Sequence, residues 1–221
     1  MIKKYLSIIY RVFFPHKEIF RLKVQNTFVI SLENEDKRRQ KIFKTFPNLE
    51  WNWFKGINGH HLNREYLIET GQIKTPSLSK GQVGVFLSHK TLWENLVKSE
   101  DHTWLILESD ILPSEKWKNK DKYLINQYIL EENYDILFLG RGYRYTSARD
   151  QPIKKHLTIA APSWQAHAYV IKKAGAEKLL RHFNGIEKPL DIWWWEIKEL
   201  RILALSPDFL VQGGGPSSTQ N

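Results

Sequence analysis

The 221-residue chain contains no cysteine, which excludes disulfides and thiolate chemistry and suits a reducing compartment. It also lacks any apolar run long enough to cross a bilayer, which takes ~20 residues. The nearest candidate, Tyr5 to Phe14, is broken by Ser7 and Arg11 and stopped by Pro15. No small-residue cleavage pattern follows it, so it does not read as a signal peptide. There is no internal repeat, no low-complexity linker and no recognised nucleic-acid-binding motif. Acidic residues are in the minority, 24 against 33 basic ones, leaving a net charge of +9. That balance favours polyanionic partners such as anionic lipid, nucleotide phosphates or nucleic acid, without choosing among them.

The chain is rich in aromatic residues (13%, with nine Trp) and 42% hydrophobic, enough for one globular domain with a sizeable core. The basic surplus is concentrated near the start. Lys3, Lys4, Arg11, Lys17, Arg21 and Lys23 face only Glu18, so this segment holds more than half of the net charge. Interleaved with Tyr5, Leu6, Ile8, Ile9, Tyr10, Val12, Phe13 and Phe14, it is expected to lie on an anionic membrane surface. The alternative is a helix packed on the body of the domain. The expected organisation is therefore a basic amphipathic segment over 1–24 and a single domain over 25–221.

The stretch that carries chemistry is Trp104-Leu105-Ile106-Leu107-Glu108-Ser109-Asp110-Ile111. Its apolar run reads as a short buried strand. Glu108 and Asp110 follow at spacing i, i+2, which on an extended chain points both carboxylates to one face. Two acids at the end of a central strand suit a hard divalent cation that keeps open positions for phosphate oxygens. Strand ends are also where open α/β sheets bind ligands. The plainer reading is a strand giving way to a solvated loop.

Around it, Thr27 to Leu32 reads as a first strand, followed by a polar loop and a helix carrying Arg38 and Arg39, which could reach a diphosphate. Leu49 to Phe54 reads as a second strand ending in the turn Gly56-Ile57-Asn58-Gly59. Ser79-Lys80-Gly81-Gln82 has the form of a capping box, opening a helix with Val83, Phe86, Leu87, Trp93, Leu96 and Val97 at helical spacing. Gly81 and Gly84 in its first turns cost about 1 kcal/mol each relative to Ala, which makes sense if another element or a phosphate approaches that backbone. Ser88 and His89 follow on the same helix. A helix is expected from Pro113 to about Leu130, and strands at Tyr134–Leu139, Ala166–Ile171 and Ile202–Pro207. Gly140-Arg141-Gly142-Tyr143 reads as a basic, flexible loop, a candidate lid or acceptor contact. Asp191 immediately precedes Trp193, Trp194 and Trp195, rings suited either to stacking on sugar faces or to filling a core. The tail beyond Val211 is rich in turn residues.

In order along the chain, several of these segments resemble glycosyltransferase family 25, the bacterial lipopolysaccharide and lipooligosaccharide galactosyltransferases, whose domain collagen galactosyltransferases share. The segments are Val29-Ile30-Ser31-Leu32 with Arg38-Arg39, Gly56-Ile57-Asn58-Gly59, Gly81 to His89, Leu107 to Ile111, Leu137 to Gly140, Ala168 to Ile171, Ala176 to Leu180 and Pro189-Leu190-Asp191. The family's acidic motif usually reads Glu-Asp-Asp; Ser109 stands at its middle position here, and Asn58 replaces the usual Asp of the Gly-x-x-Gly turn.

The resemblance implies an α/β, GT-A-like nucleotide-sugar-binding fold, with a mostly parallel central sheet flanked by helices. It implies a UDP-sugar donor, expected to be UDP-galactose, and inversion at the anomeric carbon. On that basis Glu108 and Asp110 would hold Mn²⁺ or Mg²⁺. Ser31, Arg38, Asn58, Gly59, Gly81, Gly84, Ser88, His89 and Ser109 would join them around the donor. Asp191 is nominated as catalytic base, with Arg141, Trp193 and Trp194 as contacts to a saccharide or lipid-linked saccharide acceptor. The enzyme would sit peripherally on the cytoplasmic face of the inner membrane, with no nucleic-acid partner. Two rival readings are a glycan-binding protein of the same fold without turnover, prompted by Ser109, and a basic nucleic-acid-binding module.

Overall fold

A computed structural model describes residues 22–213 except 48, 119 and 120. The amphipathic segment up to residue 21 and the tail from 214 lie outside the described residues. In chain order the elements are β1 (Asn26–Ser31), α1 (Asp36–Thr45), β2 (Asn52–Lys55), α2 (Arg64–Glu69), α3 (Lys80–Lys98), β3 (Thr103–Glu108), β4 (Ile111–Pro113), α4 (Tyr123–Glu131), β5 (Ile136–Gly140), β6 (Gln151–Lys154), β7 (Leu157–Ile159), β8 (Ala168–Lys172), α5 (Lys173–His182), α6 (Leu190–Trp193), β9 (Ile202–Leu205) and β10 (Leu210–Gln212).

Eight strands form one sheet in the order β2-β1-β3-β8-β5-β9-β7-β6. Strands β1, β2, β3, β5, β6 and β9 run one way; β7 and β8 run the other. This is the α/β, GT-A-like arrangement expected, with the sheet mixed because β8 lies antiparallel between β3 and β5.

Both faces of the sheet are covered, and this explains the apolar runs in its central strands. In β3, Trp104 and Ile106 join Phe86 and Trp93 of α3, Leu179 of α5 and Trp193 of α6 in one core. Leu105 and Leu107 join Ile42 of α1 with Ile125 and Ile129 of α4 in the other. Leu22 is buried in this second core, with Val24 packed against it.

Helix α3 starts with the capping box expected. The Ser79 hydroxyl accepts from the Gln82 amide nitrogen at 3.1 Å, and the Gln82 side chain accepts from the Ser79 backbone at 2.8 Å.

The structure corrects one element. The helix expected from Pro113 begins only at Tyr123, because Ile111–Pro113 forms an antiparallel ribbon with β10. A partner so far along the chain leaves no local signal. The short strand β10 escaped the sequence reading for the same reason, whereas β6 and β7 pair locally, and β6 is exposed throughout and carries no buried apolar face. Among the described residues, no helix is long and apolar enough to cross a membrane.

Candidate active site

A cleft of about 640 Å³ opens at the C-terminal ends of β1 and β3. The antiparallel pairing sets Leu107 of β3 opposite Ala168 of β8, and the Glu108 amide donates to the His167 carbonyl at 2.8 Å. The segment leading into β8 therefore arrives beside the acidic end of β3. Of the residues nominated from sequence, Ser31, Arg38, Asn58, Gly59, Gly81, Ser88, His89, Glu108, Ser109, Asp110 and Asp191 all line this cleft.

Glu35, which sequence reasoning did not single out, organises the β1 side. One of its carboxylate oxygens accepts from the Leu32 amide at 3.0 Å and from the Ser31 and Ser109 hydroxyls at 3.2 Å each. The other pairs with Arg38 at 2.8 Å. Ser109 thus ties the acidic turn to β1, where an aspartate would face a second carboxylate. Nothing in the acidic run Glu33 to Asp36 distinguished this residue. Arg39 is diverted from any diphosphate role: it donates to the Ser31 hydroxyl at 3.1 Å and to the Glu33 carbonyl at 2.8 Å, and its guanidinium lies 4.3 Å from the Trp53 ring centroid.

The glycines of the helix start have a definite physical role. A Cβ on Gly84 would lie 2.4 Å from the Ile57 carbonyl oxygen, and one on Gly59 would lie 1.7 Å from that of Lys80. Gly84 therefore admits the 56–59 turn rather than a phosphate, and it does not line the cleft. Ser88 fastens the same contact, accepting from the Ile57 amide at 2.8 Å and donating to the Gly84 carbonyl at 2.7 Å. Asn58 caps the turn that follows by accepting from the His60 amide at 3.0 Å.

The strand ends at Glu108, and Ser109 and Asp110 form a turn. The two carboxylates share the cleft because β10 holds Asp110, not because the chain is extended. The Gly213 amide donates to the Asp110 carbonyl at 2.5 Å, and the Gln212 side chain donates to Asp110 Oδ2 at 2.8 Å. Asp110 Oδ1 is buried with no hydrogen-bond partner among the described residues. Burial, then repulsion from Glu108, pushes the Asp110 carboxyl up to about 6. Burial acts upward on Glu108 as well, but the His89 imidazole, 3.7 Å away, with His167 and Arg38, holds it below its ordinary value.

Asp191, on α6, lines the same cleft. Its Oδ2 accepts from the Gln165 amide at 2.8 Å. Burial raises its carboxyl above the usual range, and the charge of Glu108 adds to the effect. A raised carboxylate is a better proton acceptor near neutral pH.

Three expected acceptor contacts are not where a sugar could meet them. Arg141 is only 9% exposed; it donates to the Ala161 carbonyl at 2.9 Å and pairs with Asp150. The loop it begins is thus anchored by a buried ion pair at that residue. Trp193 stacks on Trp93 and meets Phe86 edge-on, while the fully buried Trp194 packs edge-on against Phe138 and Tyr169. These rings are core, because α6 needs an apolar face against α3 and the sheet.

The donor set fits a divalent cation in one respect: a buried carboxylate oxygen without a partner stands beside a second carboxylate. Among the described residues there is no group of three or more His, Cys, Asp or Glu that could hold a metal. Glu108 and Asp110 alone would leave most of the coordination shell to substrate oxygens and water.

A two-faced α/β sheet with a carboxylate-lined cleft at its strand ends is a GT-A-like arrangement. The family model "Glycosyltransferase family 25 (LPS biosynthesis protein)" matches residues 24–194, and the chain belongs to that family. A "Glycosyltransferase 25 family member" of Drosophila melanogaster is 29% identical over 184 residues, covering 77% of this chain and 29% of its own length. "Procollagen galactosyltransferase 1-B" of Xenopus laevis is 24% identical over 180 residues, 75% of this chain and 30% of its own. "Inactive glycosyltransferase 25 family member 3" of Homo sapiens is 27% identical over 182 residues, 75% and 30%. The chain thus spans about a third of the length of these relatives. Among solved structures, "A197 from STIV" is similar at a TM-score of 0.45 with 14% identity, covering 86% of this chain and 94% of its own.

Proposed function

We propose that the domain is an inverting hexosyltransferase, moving galactose from UDP-galactose to a saccharide acceptor of the lipopolysaccharide or lipooligosaccharide type. The observation that carries this reading is the convergence of Glu108, Asp110 and Asp191 on one cleft, with Asp110 Oδ1 buried and unpartnered. Membership of family 25 and the name of the Xenopus relative support the choice of galactose.

Glu108 and Asp110 are the residues that would hold Mn²⁺ or Mg²⁺, which when bound supplies positive charge to a departing diphosphate. Arg38 and the 57–59 turn border the same side of the cleft and bind the donor. Asp191 accepts the proton of the acceptor hydroxyl as its oxygen bonds to the anomeric carbon and the bond to the diphosphate breaks. Attack from the face opposite the leaving group inverts the centre through an oxocarbenium-like transition state, as in inverting glycoside hydrolysis. Burial of Asp191 raises its carboxyl above the ordinary range, in the direction that favours this role.

A second reading, glycan binding without turnover, is favoured by Ser109 and by relatives whose names call them inactive. The deciding experiment measures thermal stabilisation by UDP-galactose with and without Mn²⁺, alongside UDP release in the presence of acceptor glycans. A ligand at 100 times its Kd stabilises by ~2.7 kcal/mol. Binding with release supports transfer; glycan binding without UDP-sugar binding supports the second reading. On sequence alone, segment 1–24 is proposed to hold the enzyme on the cytoplasmic face of the inner membrane. Salt-sensitive co-sedimentation with anionic vesicles, lost on deletion of residues 1–21 (which spares the packed Leu22 and Val24), tests that placement.

A further inference from the structure

With Trp193 and Trp194 in the core, the aromatic surface that does face the cleft is Trp164. It lines the cavity and is 40% exposed, and its ring packs on Tyr145 with centroids 4.8 Å apart at 49°. A large ring on a cleft wall is a different matter from one on open surface, because a ligand held in the cleft can meet its face.

The pair is held in place. The Trp164 amide donates to the Tyr143 carbonyl and the Gly142 amide to the Trp164 carbonyl, each at 2.8 Å, with a bridge from Arg144 to Ser163 alongside. Gly142 is needed for this approach, since a Cβ there would lie 2.6 Å from Gln165 Oε1 and 2.9 Å from the Trp164 carbonyl oxygen.

The next residue connects the platform to both ends of the proposed chemistry. Gln165 adopts a left-handed backbone, φ 67°, a conformation that costs energy outside glycine and tends to persist where function requires it. Its amide nitrogen donates to Asp191. Its side-chain nitrogen donates to Gln212, whose own nitrogen donates to Asp110. Tyr145 is also close enough for Asp191 to act on it: burial first, then the charges of Asp191 and Glu196, raise its phenol.

We infer that Trp164, backed by Tyr145, is the platform on which the acceptor saccharide stacks the C–H face of its terminal ring, with its hydroxyl toward Asp191. An aromatic face presents apolar area with few rotatable bonds to freeze, and hydrogen bonds around it fix orientation. The donor side of the cleft, at Ser31, Arg38 and the 57–59 turn, lies across β3 from it, as the order β1-β3-β8 requires.

This inference rests on the transferase reading, so its test separates the two. An immobilised panel of bacterial oligosaccharides is incubated with radiolabelled UDP-galactose and Mn²⁺, using the full chain and its Trp164→Ala, Trp164→Phe and Tyr145→Ala variants. UDP-galactose affinity is measured in parallel as a check on folding. The expected result is a loss of roughly 10-fold or more in kcat/KM for the acceptor in Trp164→Ala, carried by KM, with the donor Kd held and partial recovery in Trp164→Phe. An unchanged acceptor KM in Trp164→Ala, with the parent chain active, overturns the platform and leaves the transferase reading standing. A parent chain that neither binds UDP-galactose nor labels any glycan overturns both.

Discussion

His89 Nδ1 lies 2.8 Å from the Tyr169 hydroxyl, wholly buried between α3 and β8. The Trp93 indole, which can only donate, contacts the same hydroxyl at 3.0 Å. The Tyr169 proton then has His89 Nδ1 as its acceptor, which leaves Nε2–H directed at Glu108. Tyr169 is thus a positioning residue for the acidic site, acting through His89. Tyr169→Phe should cost ~1–3 kcal/mol, since the Trp93 indole loses its acceptor inside the core, and urea titration measures this. The same variant should alter the tautomer seen by ¹⁵N NMR at His89 and weaken metal-dependent UDP-sugar binding. An unchanged His89 spectrum would reduce Tyr169 to a packing residue.

Asp110→Asn should abolish metal-dependent UDP-sugar binding while leaving the fold intact, and full activity in excess EDTA would remove the pair from the mechanism. The native pH dependence has a definite sign. With the carboxyl raised to about 6 in the metal-free protein, protons compete with the cation below that pH. Mn²⁺ affinity should therefore fall as pH drops, by about tenfold per unit once below ~6, measurable by titration calorimetry. In the metal-free protein the raised value also means that ionising Asp110 disfavours the folded state as pH rises through 4 to 6. Asn at this position should thus be more stable than Asp at pH 7, with the difference vanishing near pH 4.

Asp191→Asn keeps the size and the acceptor oxygen for the Gln165 amide but removes basicity. It should slow transfer by ~10²–10⁴-fold with donor and metal affinities retained. Loss of Mn²⁺ and UDP-sugar binding together would make Asp191 a metal ligand instead. A variant as fast as the parent would end its nomination as the base.

Gly84→Ala sets two effects against each other. Helix propensity favours Ala by up to ~1 kcal/mol. The added methyl would meet the Ile57 carbonyl oxygen at 2.4 Å and the Gly59 nitrogen at 2.7 Å, both backbone atoms that cannot swing aside. Overpacking of this kind costs ~1–3 kcal/mol, so the variant should be less stable, with Cm reduced in urea and weaker donor binding as the 56–59 turn shifts. A stabilised variant would show that the turn can move freely.

The sequence determined what local chemistry can specify. The apolar run of β3 required burial on both faces, Ser79 and Gln82 fixed the start of α3, and the carboxylates at 108, 110 and 191 marked the candidate chemistry. What it could not separate were aromatic residues of equal hydrophobicity. Trp193 and Trp194 stood out because they follow Asp191 and Trp164 had no such neighbour, yet Trp164 faces the cleft and the other two fill the core. That choice depends on which face α6 turns to α3 and on where β8 begins beside β3. The supports of the acidic turn were likewise hidden: Glu35 reaches Ser109 from 74 residues away, and Gln212 reaches Asp110 from 102. Side-chain type and periodicity are properties of neighbouring residues and can be read in order. Contacts made across such separations exist only once the sheet has set its strand order, so the tertiary structure alone decided them.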